Sequence, residues 1–234
     1  MPELSCILLA GPNGSGKSSA FPKLKLEGEL INADEIAKTL PDDGQSKDWR
    51  AGEIALNKIA EMIETRRSFI FETTLSGTHS IRLMHKAKAA GFTVGLYYTA
   101  LDSVETNIER VRQRVLKGGH NIPEDVIRRR HKGSFVKLSE ALKIADEVVL
   151  VDNSDLEPHV VFEITSGEVQ SFDIDETQEL HLLFAAKVCE AYGLVRYDSG
   201  FRKVPKLAAH RSDDVASDTP KPSPGHRPKP PGMK

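Results

Sequence analysis

The sequence predicts an α/β fold built on a mainly parallel sheet, and two features predict it. Short apolar runs alternate with longer segments of helical period from Leu4 to about Val151. A glycine-rich octapeptide sits between the first such run and the first helix. Strands buried on both faces read as brief apolar runs without polar alternation. On that basis strands are expected over residues 5–10, 29–32, 68–72, 93–99 and 147–151. Helices are expected over 16–23, 33–39, 48–66, 79–90, 103–117 and 123–145.

Two apolar stretches, 159–165 and 168–172, flank Ser166-Gly167 and predict a small antiparallel hairpin at the sheet edge. Residues 176–192 carry Leu180, Leu183, Ala186 and Val188 at near-helical spacing, which predicts a terminal helix. Beyond Phe201, prolines alternate with Lys and Arg, a composition that buries no core and predicts a disordered tail. The expected organisation is a catalytic domain over 1–172, a helical extension over 173–200 and a flexible tail over 201–234.

With 234 residues the chain suits one domain of ordinary size. A formal net charge of -2 supplies no general attraction to duplex nucleic acid or an anionic membrane, so basic residues are read locally. The first nine residues lack the pattern of a secretory signal, and no apolar run approaches the ~20 residues that span a bilayer. A cytoplasmic location is therefore expected. Cys6 and Cys189 lie in a strand-like and a helix-like segment, as reduced, buried thiols do.

The octapeptide Gly11-Pro12-Asn13-Gly14-Ser15-Gly16-Lys17-Ser18 matches G-x-x-x-x-G-K-[ST] in full. Its glycines let backbone N–H groups wrap around phosphate oxygens where side chains would block the approach. Lys17 supplies a positive charge for the β- and γ-phosphates, and the Ser18 hydroxyl is a ligand for Mg²⁺. These residues and Ser19, together with Arg114 further along, form the expected ATP-binding set. The fold class becomes a three-layer P-loop NTPase of kinase-like type. A GTPase is disfavoured because Val151-Asp152-Asn153-Ser154-Asp155 lacks the lysine of a guanine-binding N-K-x-D loop. A transporter-type ATPase is disfavoured because Thr74-Leu75-Ser76-Gly77 resembles part of its signature but stands too early in the chain.

Two acids are expected at the C-terminal edge of the sheet, where open α/β proteins place ligands. Asp34, in Asn32-Ala33-Asp34-Glu35, is placed to accept the proton of an attacking hydroxyl. Helix capping is the competing reading, with Asn32 as cap and Glu35 completing a capping box. Glu72 ends Phe69-Ile70-Phe71-Glu72-Thr73-Thr74, where it can hold Mg²⁺ through water, position a substrate hydroxyl, or form a structural ion pair.

In the helix after Ser103, the stripe Val104, Ile108, Val111 and Val115 leaves Arg110 and Arg114 together on another face. Gly118-Gly119 then offer a hinge, and Pro123-Glu124-Asp125 open a helix carrying Arg128, Arg129 and Arg130. This reads as a mobile lid that brings arginines to the phosphates, although one helix cannot aim three consecutive residues at one point.

The run GPNGSGKSS, NADEIAKTL, FETTLSG, ETNIERVRQRV, GGHNIPEDVIRRRH and VDNS, in that order, resembles the zeta toxin family from about Ile7 to Phe172. The resemblance implies a P-loop kinase fold and ATP-dependent phosphorylation of a small molecule, UDP-N-acetylglucosamine in the family's characterised toxins. It implies Lys17 as phosphate ligand, Asp34 as catalytic base, and Glu72, Thr73 and Thr74 on the substrate side. It also implies that Arg110 and a lid arginine, assigned to Arg129, contact ATP. Glu53 stands about one turn from the place of a further substrate-side acid. An antitoxin is a candidate protein partner. A kinase for another metabolite or an RNA end, and a non-catalytic ATP-binding switch, are the alternative functions; Asp34 and Glu72 favour catalysis.

Overall fold

The computed structural model describes residues 4–42, 46–197 and 200–203. Five strands, β1 (Ser5–Ala10), β2 (Glu29–Ile31), β3 (Phe69–Thr73), β4 (Thr93–Ala100) and β5 (Glu147–Asp152), pair in parallel in the order β2-β3-β1-β4-β5. The antiparallel strands β6 (His159–Thr165) and β7 (Glu168–Phe172) extend the sheet beyond β5. Ser166 and Gly167 both have positive φ, 51° and 75°, as the tight hairpin between β6 and β7 requires. The fold is thus mixed α/β on a mostly parallel sheet, as the alternation of apolar runs predicts.

The helices are α1 (Lys17–Leu24), α2 (Ala33–Thr39), α3 (Lys47–Glu64), α4 (Thr78–Ala89), α5 (Val104–Leu116), α6 (Glu124–Ile144) and α7 (Glu179–Tyr192). Their ends fall within a few residues of the periodicity limits. Cys6, Leu8 and Ala10 of β1 are fully buried in one large apolar cluster with residues of α3, α4, α6 and α7. Burial of that apolar surface is the main source of stability, at about 25 cal/mol per Å². A second cluster joins Ile108 and Val111 of α5 to Ile122 and Ile127, with Val104 and Val115 against it, so the predicted stripe clamps α5 onto α6.

The terminal helix α7 packs into the main core: Phe184 is fully buried and meets the rings of Tyr98 and Phe135, and Tyr192 donates to the Leu142 carbonyl at 2.8 Å. Two expectations change. Cys6 is buried, but Cys189 is only partly so; both are free. A short hairpin of β8 (Leu194–Tyr197) and β9 (Gly200–Lys203) was not foreseen. It is seated by Phe201, whose ring meets Phe162 at 5.4 Å and Phe172 at 5.3 Å. The tail was expected from residue 201, but residues 201–203 belong to β9; the rest of the expected tail lies outside the described residues. Among the described residues no helix is long and apolar enough to cross a membrane.

Candidate active site

The parallel order places the C-terminal ends of β1 to β5 along one edge, and the loops leaving them surround an open cleft of about 1030 Å³. The glycine-rich loop forms its floor. Gly11 has φ 138°, and a Cβ there would stand 2.0 Å from the Thr99 carbonyl oxygen, so neither backbone nor space admits a side chain. Gly16, with φ 98°, starts α1, and a Cβ there would meet the Asn153 amide at 2.2 Å. Other elements hold the loop from outside: Asn107 of α5 donates to the Asn13 carbonyl at 2.7 Å, and Asn153 donates to the Ser15 carbonyl at 2.8 Å.

Lys17 is 6% exposed, and its ammonium donates to the carbonyls of Gly11 at 2.8 Å and Pro12 at 3.0 Å. Burial pushes its pKa down; the charges of Glu72 and Asp34 oppose that shift, and Arg114 and Arg130 add to it. The site therefore holds a partly desolvated cation among two acids and two arginines.

At the end of β3, Glu72 receives the Ser18 hydroxyl at 3.0 and 3.1 Å and the Asn32 amide at 2.7 Å. Asn32 also caps α2, its side-chain oxygen accepting from the backbone N–H groups of Asp34 at 2.8 Å and Glu35 at 3.3 Å. Glu35 bonds Lys38 at 2.6 Å, so the cap acts through Asn32 and Asp34's carboxylate is left facing the cleft. Thr73 and Thr74 line the cleft beside Glu72. Thr73 also bonds Ser80 at 2.7 Å and accepts from the Leu75 N–H at 3.1 Å, while Thr74 bonds Ser76 at 2.9 Å.

On the opposite wall, Arg110, Gln113 and Arg114 of α5 and its C-cap residue Lys117 recur at helical spacing and all border the cleft. Arg110 donates to the Ser154 carbonyl at 3.1 Å, and Arg114 to the His120 carbonyl at 3.0 Å. The Arg114 Nε is buried without a hydrogen-bond partner. Gly118, at φ 83°, ends α5, and His120 reaches across to Asp48 of α3 at 3.4 Å.

A family model described as Zeta toxin matches residues 5–160, two thirds of the chain. The chain belongs to the zeta toxin family. It is 37% identical over 128 residues to an uncharacterized protein of Haemophilus influenzae, a match covering 53% of this chain and 91% of that one. It resembles in fold the crystal structure of AvrRxo1-ORF1:-ORF2 with ATP, at a TM-score of 0.61 and 17% identity over 80% of this chain and 64% of that one. It likewise resembles a structure of the PezAT chromosomal toxin-antitoxin system of Streptococcus pneumoniae, at a TM-score of 0.51 and 15% identity over 82% of this chain and 87% of that one. The chain spans under two thirds of the length of the AvrRxo1 chain.

Within this zeta toxin fold, Asn13, Gly14, Gly16, Lys17, Ser18, Ser19, Asp34, Glu72, Thr73, Thr74, Arg110 and Arg114 all border the cleft. Gly11 and Pro12 hold Lys17 from beneath it, and Ser15 is fully buried behind the loop. Two residues are not brought there. Arg129 is exposed on α6, and its neighbour Arg130 borders the cleft instead, its guanidinium 3.4 Å from the Asn13 side-chain oxygen. Arg128 pairs with Glu105 at 2.7 Å. Glu53 is exposed on α3, where Ala51 and Ile59 turn into the protein and Gly52, Ala55 and Leu56 border the cleft. Asn32 and Lys117 were missed as site residues. The i, i+3, i+4, i+7 spacing from Arg110 signals Lys117, whereas nothing local signals the reach of Asn32 to Glu72.

Proposed function

We propose that this zeta toxin family member is an ATP-dependent kinase that transfers the γ-phosphate to a hydroxyl of a small molecule, with UDP-N-acetylglucosamine the first acceptor to test. The observation that carries the reading is that Lys17, Asp34 and the Ser18–Glu72 pair face one cleft, beneath a wall bearing Arg110, Arg114, Lys117 and Arg130. A triphosphate neutralises such a cluster of cations, and the glycine-rich loop presents its N–H groups to phosphate.

In this reading Lys17 exchanges the carbonyls of Gly11 and Pro12 for phosphate oxygens. Arg110, Arg114 and Arg130 then stabilise charge on the transferring group. The acceptor oxygen attacks the γ-phosphorus, its proton passes to Asp34, and the bond from that phosphorus to the ADP oxygen breaks. Asp34 suits this task because Asn32 supplies the helix cap, leaving the Asp34 carboxylate without a capping duty. Thr73 and Thr74 lie on the acceptor side.

The donor set fits Mg²⁺, since a hydroxyl and a carboxylate in contact are hard oxygen ligands. Ser18 would hold it directly and Glu72 through water. Held there with the nucleotide, Mg²⁺ would supply positive charge that offsets the charge of the phosphates. Family kinship makes an antitoxin the proposed protein partner and the cytoplasm the proposed place of action.

The test is ADP formation by the purified full chain with Mg-ATP and a panel of nucleotide sugars, nucleosides, aminoglycosides and RNA ends. Acceptor-dependent ADP release with a phosphorylated product is expected. Tight ATP binding with no phosphorylated acceptor across the panel would favour the switch instead.

A further inference from the structure

Helix α7 lies beyond residue 160, where the family match ends, yet one of its side chains is tied to the cleft by an unbroken set of hydrogen bonds. His181 is 4% exposed and stacks on His159, with ring centroids 5.2 Å apart and planes 14° from parallel. Its Nδ1 accepts the Asp175 backbone N–H at 2.9 Å. A backbone N–H only donates, so Nδ1 carries no proton and the neutral ring has its proton on Nε2. Nε2–H therefore donates to Asp152 Oδ2, 3.2 Å away. The other oxygen of Asp152 receives the Ser154 N–H at 2.8 Å and the Ser154 hydroxyl at 2.5 Å.

The segment Asp152-Asn153-Ser154 that this acid shapes touches three parts of the nucleotide site. Ser154 O receives Arg110 at 3.1 Å, and Ser154 Oγ receives the Asp102 N–H at 2.8 Å just before α5. Asn153 holds the Ser15 carbonyl of the glycine-rich loop at 2.8 Å, and its own N–H is fixed by the Ala100 carbonyl at 3.0 Å. Asp152 is 8% exposed. A buried carboxylate stripped of one donor seeks another or draws in water, and here its remaining donors all come from Ser154.

We propose that His181 is a positioning residue of the nucleotide site: by holding Asp152 it sets residues 152–154, which aim Arg110 and brace the glycine-rich loop. The inference rests on the reading of the cleft as an ATP site. It touches no reacting atom, and it makes a residue outside the matched region part of the site's construction.

The test uses full-length His181→Leu, which keeps bulk and loses both polar contacts, and His181→Gln, whose amide nitrogen reaches the position of Nε2. His181→Asn, which stays polar toward Asp175 but stops short of Asp152, serves if the leucine variant does not fold. Phe184→Leu loosens the same helix without touching the network. In ligand-free protein, hydrogen exchange at the Ser154 and Asp102 amides should quicken about tenfold in His181→Leu or His181→Asn, with β4 amides unchanged and with protection kept in His181→Gln. Mg-ATP affinity measured by calorimetry should fall about fivefold or more in the same variants and be restored by glutamine. The losses from His181→Leu and Arg110→Ala should combine to less than their sum. Unchanged exchange at both amides, equal losses in Phe184→Leu, or strictly additive losses would each overturn the proposal. A wild-type chain that does not bind Mg-ATP would overturn the ATP-site reading, while the exchange measurements still decide whether His181 sets the segment.

Discussion

The Ser18 hydroxyl reaches both carboxylate oxygens of Glu72, at 3.0 and 3.1 Å, while the Asn32 amide holds one of those oxygens at 2.7 Å. The first turn of α1 and the cap of α2 thus meet on one acid of β3. Glu72→Gln should leave the fold intact, since an amide still accepts from Asn32 or Ser18, but it removes the charge that favours a divalent ion. The Mg²⁺ concentration for half-maximal ATP turnover should rise about tenfold or more, by analogy with outer-shell ligands of other metals. A magnesium titration at fixed ATP checks this. An unchanged titration with a raised acceptor KM would move Glu72 to the substrate side.

Lys17 links the site to stability. Its folded-state pKa is lowered from 10.5 chiefly by burial, so between that lowered value and 10.5 the unfolded chain binds more protons than the folded one. Stability must therefore rise with pH through that window. Lys17→Met should flatten the rise and raise the melting temperature near pH 7, where the buried charge is at its most costly. The same variant should lose Mg-ATP binding. Melting curves from pH 7 to about 10 and one calorimetric titration decide both points.

Asp34→Asn keeps size and the backbone N–H that Asn32 accepts, but it cannot take a proton at neutral pH. Mg-ATP affinity should persist while phosphoryl transfer falls about 10²- to 10⁴-fold. Normal turnover with a lower melting temperature would make Asp34 a purely structural residue, and Glu72 would become the candidate base.

Arg130 and Arg129 differ by one position and should differ sharply in effect. Arg130→Ala removes a guanidinium that borders the cleft and should lower turnover about 10²-fold or more. Arg129→Ala alters an exposed position and should remain within about twofold of wild type. Parallel rate measurements under saturating ATP distinguish the two, and equal losses would reinstate Arg129.

These predictions draw unequally on what could be read from the chain. The strand, loop and helix around Lys17 were legible because the loop's path is set by its own residues: Gly11 and Gly16 take positive φ, and Lys17 bonds carbonyls only five and six residues away. Which of the three consecutive α6 arginines borders the cleft was not legible. Successive residues on a helix point about 100° apart, and which of three consecutive arginines faces inward depends on how α6 seats against α5 through Ile122, Ile127, Ile108 and Val111. Glu53 stands away from the cleft for a related reason, although the inward spacing of Ala51, Ala55 and Ile59 was open to inspection.

The sequence by itself determined the fold class, the glycine-rich loop, the edge of the sheet that carries the cleft and the family, because each rests on local periodicity or a contiguous motif. Only the tertiary structure decided that Asn32 serves Glu72 across 40 residues, that Asn153 braces Ser15 across 138, and that α7 reaches Arg110 through His181 and Asp152. Those contacts depend on the strand order β2-β3-β1-β4-β5, which sets distant loops side by side. Short-range patterns constrain backbone conformation strongly, whereas the pairing of polar side chains distant in sequence is settled only when packing of the core fixes where each helix and loop must lie.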